Sequence, residues 1–191
     1  MNNIVLPEYQ KFLDDAGVDI SAIKIIDNEP TASAFIMTDK NDNQIAGFYP
    51  GAMKLSDTSS IKNLSQTPSF IVIAPDKHEA MDKFVTECQE LQIPYLFDPG
   101  MQLPRLSNEQ LIKGVKGAKI LIGNDYEIAL LKEKLSLTEE QLLNQIKILI
   151  TTLGEKGSII QTNGLPDSPS RSQGPPGRWS IPAGKPSEVV D

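Results

Sequence analysis

Hydrophobic and polar positions alternate along this chain with a period that switches repeatedly, and the switches divide it into elements. Residues 7–16 (PEYQKFLDDA) carry a helical pattern, and Gly17 stands where a helix would stop. Residues 31–38 (TASAFIMT) and 44–50 (QIAGFYP) are two β-rich runs joined by the polar stretch 39–43, which predicts a hairpin. Residues 69–74 (SFIVIA) are almost wholly apolar, as a strand covered on both faces would be. From Lys77 to Leu91 the apolar residues Ala80, Met81, Phe84, Val85, Cys88 and Leu91 make a helical stripe. Tyr95-Leu96-Phe97 reads as a strand and Ser107 to Gln110 as a helix start of capping-box type. Lys119 to Ile122 is a further strand, followed by a helix over Asp125–Leu135 and another from the Thr138–Gln141 box. Lys147 to Thr152 and Ser158 to Thr162 are the last two strands.

From residue 69 onward, strands alternate with helices. That rhythm predicts parallel strands with crossover helices, an α/β fold of the doubly wound kind with helices sandwiching a mostly parallel sheet. The hairpin at 30–50 stands outside the rhythm and is expected to project from the main sheet as a lid. Residues 163–186 hold 6 of the 14 prolines and 4 of the 13 glycines, which excludes a continuous helix or a central strand there. The segment 163–180 is therefore expected to be an exposed loop or an insertion, with Trp179 as its anchor.

The chain has 191 residues, enough for one domain with its own core at ~100–200 residues per domain. Its net charge of −7 disfavours nucleic acid or an anionic membrane as a main partner. Cys88 is the only cysteine and His78 the only histidine, so an intramolecular disulfide and a zinc cluster built on cysteine are excluded. No apolar run is long enough to span a bilayer and the first residues lack the make-up of a signal peptide, which predicts a cytoplasmic protein.

Three stretches could carry chemistry. Asn124-Asp125-Tyr126-Glu127 follows one strand and opens a helix at the edge where open α/β sheets bind ligands. The Asn124 amide and the Glu127 carboxylate could order hydrated Mg²⁺ and the phosphates it carries, or could serve only as a helix cap. Thr151 to Ser158 (TTLGEKGS) places Gly154 and Gly157 three residues apart, suited either to turning backbone N–H groups toward an anion or to a tight hairpin. Asp98, before Pro99-Gly100, is a candidate for substrate or metal-bound water, or for capping a turn. Cys88 on its helical stripe is expected to be inert core, and His78 a solvated surface residue.

Taken together, NxxE (Asn124, Glu127), TLGEKG (152–157) and the run IPAGKPSEVVD (181–191) resemble the PfkB, or ribokinase-like, family of sugar and nucleoside kinases. PTASAFIMTDKNDNQIAGFYPGAM (30–53) looks like the family's substrate-covering β-lid, especially in adenosine-kinase-like members, and YLFDPGMQLPRL (95–106) is similar to its Asp-Pro strand end. The resemblance implies a ribokinase-like fold and ATP-dependent phosphorylation of a sugar or nucleoside hydroxyl. It implies ATP and Mg²⁺ as cofactors, with a monovalent cation as an additional candidate. Asn124, Glu127, Thr152, Gly154 and Gly157 would bind the nucleotide, Glu127 and Asp191 would lie near the metal, and Ala32, Ala34 and Ile36 would cover the substrate. Some members pair through the lid, so a homodimer of that kind is a candidate assembly. Asp191 matches the first residue of the family's D-x-T-G-A-G-D loop, whose later residues supply the catalytic base and the anion hole. Residues 1–191 are accordingly expected to form a single incomplete kinase domain, inactive alone. The alternative is a non-catalytic α/β module that binds a nucleotide or acts as a scaffold.

Overall fold

The computed structural model describes residues 7–40, 43–162 and 177–184. The chain divides into two compact units, residues 1–65 and 66–191.

In the first unit, helix α1 (Pro7–Asp15) ends at Gly17, whose φ of +71° lets the chain leave the helix. Strands β1 (Ser33–Thr38) and β2 (Gln44–Tyr49) pair antiparallel into a two-stranded sheet of their own, separate from the larger sheet. Two 3₁₀ segments, Gly51–Thr58 and Ile61–Asn63, follow; the hydrophobic pattern gave no warning of either.

The second unit is built on a six-stranded sheet in sequence order. It comprises β3 (Ile71–Ile73), β4 (Tyr95–Phe97), β5 (Ile120–Asn124), β6 (Ile148–Thr152), β7 (Ser158–Thr162) and β8 (Arg178–Ile181). The first four are mutually parallel; β7 and β8 are antiparallel additions. Helices α2 (His78–Glu90), α3 (Asn108–Gly117), α4 (Asp125–Leu135) and α5 (Glu139–Leu143) connect the parallel strands. Capping boxes at Ser107, Asn124 and Thr138 start three of them, each satisfying two backbone N–H groups reciprocally.

Parallel strands laid down in one direction with right-handed crossovers put every connecting helix on the same face. Helices α2, α3 and α4 accordingly lie side by side over β3, β4, β5 and β6. The side chains under them, among them Tyr95, Phe97, Leu121 and Leu149, are buried. The approach is close. A Cβ on Gly114 of α3 would stand 2.6 Å from the Phe97 ring. The Tyr95 hydroxyl donates to the Gly114 carbonyl at 2.9 Å, and burial pushes its pKa up to about 12. Cys88 is buried on the inner face of α2 with its thiol pushed up to about 11, as core residues are.

Two expectations need correction. β3 is not covered on both faces: Val72 lies on the opposite face from the buried Ile73, Tyr95 and Phe97 and is 62% exposed. Nor does the 163–180 stretch remain a loop throughout. Arg178 to Ile181 form β8, with half-buried Trp179 opposite Ile160. An edge position tolerates the prolines nearby because only one side of the strand must be paired. The rest of that stretch, 163–176, lies outside the described residues.

β7, β8 and α5 are joined by a charged cluster. Glu139 accepts from Gln161 Nε2 at 2.8 Å and faces Lys132 at 3.5 Å and Arg178 at 3.7 Å. The Gln161 hydrogen bond, then the two cations, hold its carboxyl below the ordinary value of 4.5. A lowered carboxylate contributes stability that is complete above its ordinary pKa and lost as pH falls through the folded value. Glu139→Gln is therefore expected to melt below the unaltered chain at pH 7, with the gap closing as pH falls below about 4.5. Thermal melts from pH 7 to pH 3 check this; a gap that stays constant would refute it.

Candidate functional site

Pro75, Asp98, Gly100, Met101, Ile122, Gly123, Asn124, Glu127 and Thr152 line a cleft of about 340 Å³. It lies at the carboxyl ends of the parallel strands β3 to β6, the edge at which open α/β sheets take ligands.

The register of β5 and β6 sets Asn124 opposite Thr152. Both strands then end, so the 124–127 turn and the 153–157 loop leave the same end of the sheet. Asn124 caps α4: its Oδ1 accepts from the Glu127 N–H at 2.8 Å, and the Asn124 N–H donates to Glu127 Oε2 at 2.8 Å. The structural and chemical readings of this motif are thus compatible. The box engages one carboxylate oxygen and fixes the rotamer of a side chain that also lines the cleft. Gly123 precedes it because α4 starts close to the strand; a Cβ there would meet Ile128 at 3.1 Å and the Glu127 side chain at 3.3 Å.

Asp98 sits on the neighbouring strand end. Burial raises its carboxyl above the ordinary value of 3.8, the negative charge of Glu127 raises it further, and a hydrogen bond from the Gly100 backbone opposes both. Gly100 has φ +41°, and a Cβ on it would stand 2.6 Å from Pro75 Cγ and 3.3 Å from Asp98 Oδ1. Glycine here lets the chain turn tightly against the carboxylate. The Asp-Pro-Gly sequence forms a turn, and that turn also faces the cleft.

The remaining candidates fall in different places. Gly154 (φ +59°) is in open space and Gly157 (φ +89°) is packed against the backbone of Ile181 to Ala183. Both bound the β6–β7 hairpin, whose loop is a short 3₁₀ turn, Gly154–Lys156, and neither lines the cleft. Ala34 and Ile36 are in β1, and Ala32 immediately precedes it. Asp191 lies outside the described residues. His78 is partly exposed beside Glu79, 3.2 Å away.

The cleft offers hard oxygen donors: two carboxylates, an amide and a hydroxyl. That set suits Mg²⁺ rather than zinc or copper. Among the described residues no three His, Cys, Asp or Glu side chains converge on one point. Among the described residues, no helix is long and apolar enough to cross a membrane.

Residues 7–191 match the family described as pfkB family carbohydrate kinase. A nucleoside kinase of Methanocaldococcus jannaschii is 30% identical over 154 residues, 81% of this chain and 50% of that protein. One from Methanothermobacter thermautotrophicus is 29% identical over 168 residues, 82% of this chain and 51% of that protein. Among solved structures, a Burkholderia thailandensis nucleoside kinase in complex with inosine superposes with a TM-score of 0.84 at 26% identity, covering 98% of this chain and 58% of that one. The chain spans about half the length of the curated relatives it matches. Its α/β fold is ribokinase-like. On these grounds the chain belongs to the pfkB family of carbohydrate kinases.

Proposed function

We propose that this chain carries the nucleotide- and metal-holding part of a nucleoside kinase, an ATP-dependent phosphotransferase acting on a nucleoside hydroxyl. The observation that carries the reading is the juxtaposition of the Asn124–Glu127 box with Asp98 and Thr152 in one cleft at the carboxyl ends of the parallel strands. The nucleoside kinases among its relatives favour a nucleoside over a free sugar as the acceptor.

Mg²⁺, when bound, would neutralise the phosphate oxygens of ATP and the charge that develops on them during transfer. Glu127 would orient the hydrated ion, with its rotamer set by the cap it shares with Asn124. Asp98 faces the same space on the Gly100 turn. Thr152 and the backbone around Gly154 would contact the nucleotide, and Gly157 would hold that loop against the following chain. Asp191 is proposed as a further neighbour of the metal. The proton of the acceptor hydroxyl would pass to a base in the loop that Asp191 resembles the start of. Pairing of two copies through the hairpin is the corresponding proposal for assembly.

The experiment is a calorimetric titration of ATP into residues 1–191, with Mg²⁺ and with EDTA. Binding that strengthens at least about tenfold with Mg²⁺ is expected. Affinity indifferent to Mg²⁺, or no ATP binding at all, would overturn the reading.

A further inference from the structure

Asp98 and Glu127 reach the cleft from different elements. Glu127 belongs to the first turn of α4, whereas Asp98 precedes a run of tight turns that continues to Leu106. That run is bonded internally. The Gln102 N–H donates to the Pro99 carbonyl, the Leu103 N–H to Gly100, and the Arg105 and Leu106 N–H groups to Gln102, at 2.9–3.1 Å. It therefore moves as one piece with the Gly100 turn.

The far end of the run is tied to α4. Half-buried Lys134 donates from Nζ to the Leu103 carbonyl at 2.8 Å and to the Leu106 carbonyl at 3.0 Å. Carbonyls at the end of a helical run have no partner within it, and a cation there supplies charge-assisted bonds. Glu127, Leu131 and Lys134 stand at i, i+4 and i+7, which is one face of α4, with about 10 Å along the axis between the first and the last. One helix face thus carries the cleft carboxylate at one end and the tether at the other. Leu103 and Leu106 are buried, but apolar contact holds the run down without choosing its direction. Asp98 and Glu127 carry like charges, which work to part the two walls of the cleft. The two directed bonds from Lys134 oppose that parting.

We propose that Lys134 is a positioning residue for the cleft: by tying the 99–106 run to α4 it sets the spacing of Asp98 and Glu127, and with it the fit of Mg²⁺-bound ATP. The inference rests on the nucleoside-kinase reading and deepens it, because it adds a residue outside the cleft on which the metal's hold depends. Lys132, in the same helical turn, faces Glu139 at 3.5 Å instead and provides a control for the loss of a lysine charge there.

The test uses residues 1–191, with ATP titrated in Mg²⁺ and in EDTA and with amide hydrogen exchange followed without ligand. Lys134→Met is expected to lose about tenfold or more of the Mg²⁺-dependent affinity, with the EDTA titration unchanged. The amides of Gln102, Leu103, Arg105 and Leu106 are expected to exchange faster in it. Lys134→Arg is expected to restore both, and Lys132→Met to alter neither. Lys134→Gln, which keeps a donor and loses the charge, is expected to fall between, and it carries the test if Lys134→Met does not fold. Once Asp98 is replaced in Asp98→Asn, adding Lys134→Met is expected to cost less than about twofold further, because the lysine acts through the Asp98 turn. A lower melting temperature with unchanged affinity in Mg²⁺ would reduce Lys134 to a structural contact and leave the kinase reading intact. So would unchanged exchange at 102–106, or a full loss that persists in the Asp98→Asn background. Failure of the unaltered chain to bind ATP would overturn both.

Discussion

Gly157→Ala is expected to destabilise the second unit by on the order of 3 kcal/mol, whereas Gly154→Ala, three residues earlier in the same loop, is expected to cost about 1 kcal/mol. Both glycines have positive φ, +59° at Gly154 and +89° at Gly157. At Gly154 a Cβ would meet nothing within 4 Å, so the cost is only that of holding alanine in a left-handed conformation. At Gly157 the same atom would stand 2.0 Å from the Ile181 carbonyl oxygen and 2.7 Å from the Ala183 nitrogen. Those are backbone atoms that cannot swing aside. Relief requires the end of β8 to move off β7, which breaks the pairing of Ser158 with Ile181. At about 2–4 °C per kcal/mol for a chain of this size, Gly157→Ala is expected to melt about 6–12 °C lower. Equal melting temperatures for the two variants would show that the chain around 182–184 does not hold this position.

That contrast bears on how much of the molecule the sequence made legible. Parallel strands β3 to β6 and their helices were readable because apolar runs such as 120–122 and stripes such as 80–88 carry their periods undiluted. The capping boxes at 107, 124 and 138 were readable because two side chains at fixed spacing make them. Val72 was misleading. A three-residue apolar run reads the same whether one face or both are covered, so periodicity alone does not reveal that the face bearing Val72 is open. β8 was hidden by its flanking prolines, since composition averages over a window longer than four residues. In the candidate site, topology places Asn124, Glu127 and Gly154 at one edge because each stands at the end of a strand in a parallel array, but it is Thr152 and not Gly154 that lines the cleft with the other two. Gly157 was read as ligand-facing or turn-forming; that its hydrogen side abuts the backbone of residues 181–183 depends on a strand the sequence did not disclose.

Glu127→Gln is expected to lower the Mg²⁺-dependent affinity for ATP by about ten- to a hundredfold while changing stability by less than about 1 kcal/mol. The two readings of Glu127 make opposite demands on this one variant. If the residue serves only as the third position of a cap, glutamine replaces it well, since the amide oxygen can accept the Asn124 N–H as Oε2 does now at 2.8 Å. Only the charge is lost, and with it one of the two causes that raise the Asp98 carboxyl. If the carboxylate also orients a hydrated Mg²⁺, removing that charge weakens the ion's hold without disturbing the helix. Asn124→Ala supplies the complement, breaking the cap at a cost of about 1 kcal/mol while leaving the carboxylate in place. Melting curves separate the structural contribution, and titrations of ATP with Mg²⁺ and with EDTA separate the electrostatic one. The charge-bearing reading requires Glu127→Gln to lose affinity in Mg²⁺ alone, with the EDTA titration matching the unaltered chain. Unchanged affinity in Mg²⁺ would reduce Glu127 to a helix cap and leave Asp98 as the carboxylate of the cleft.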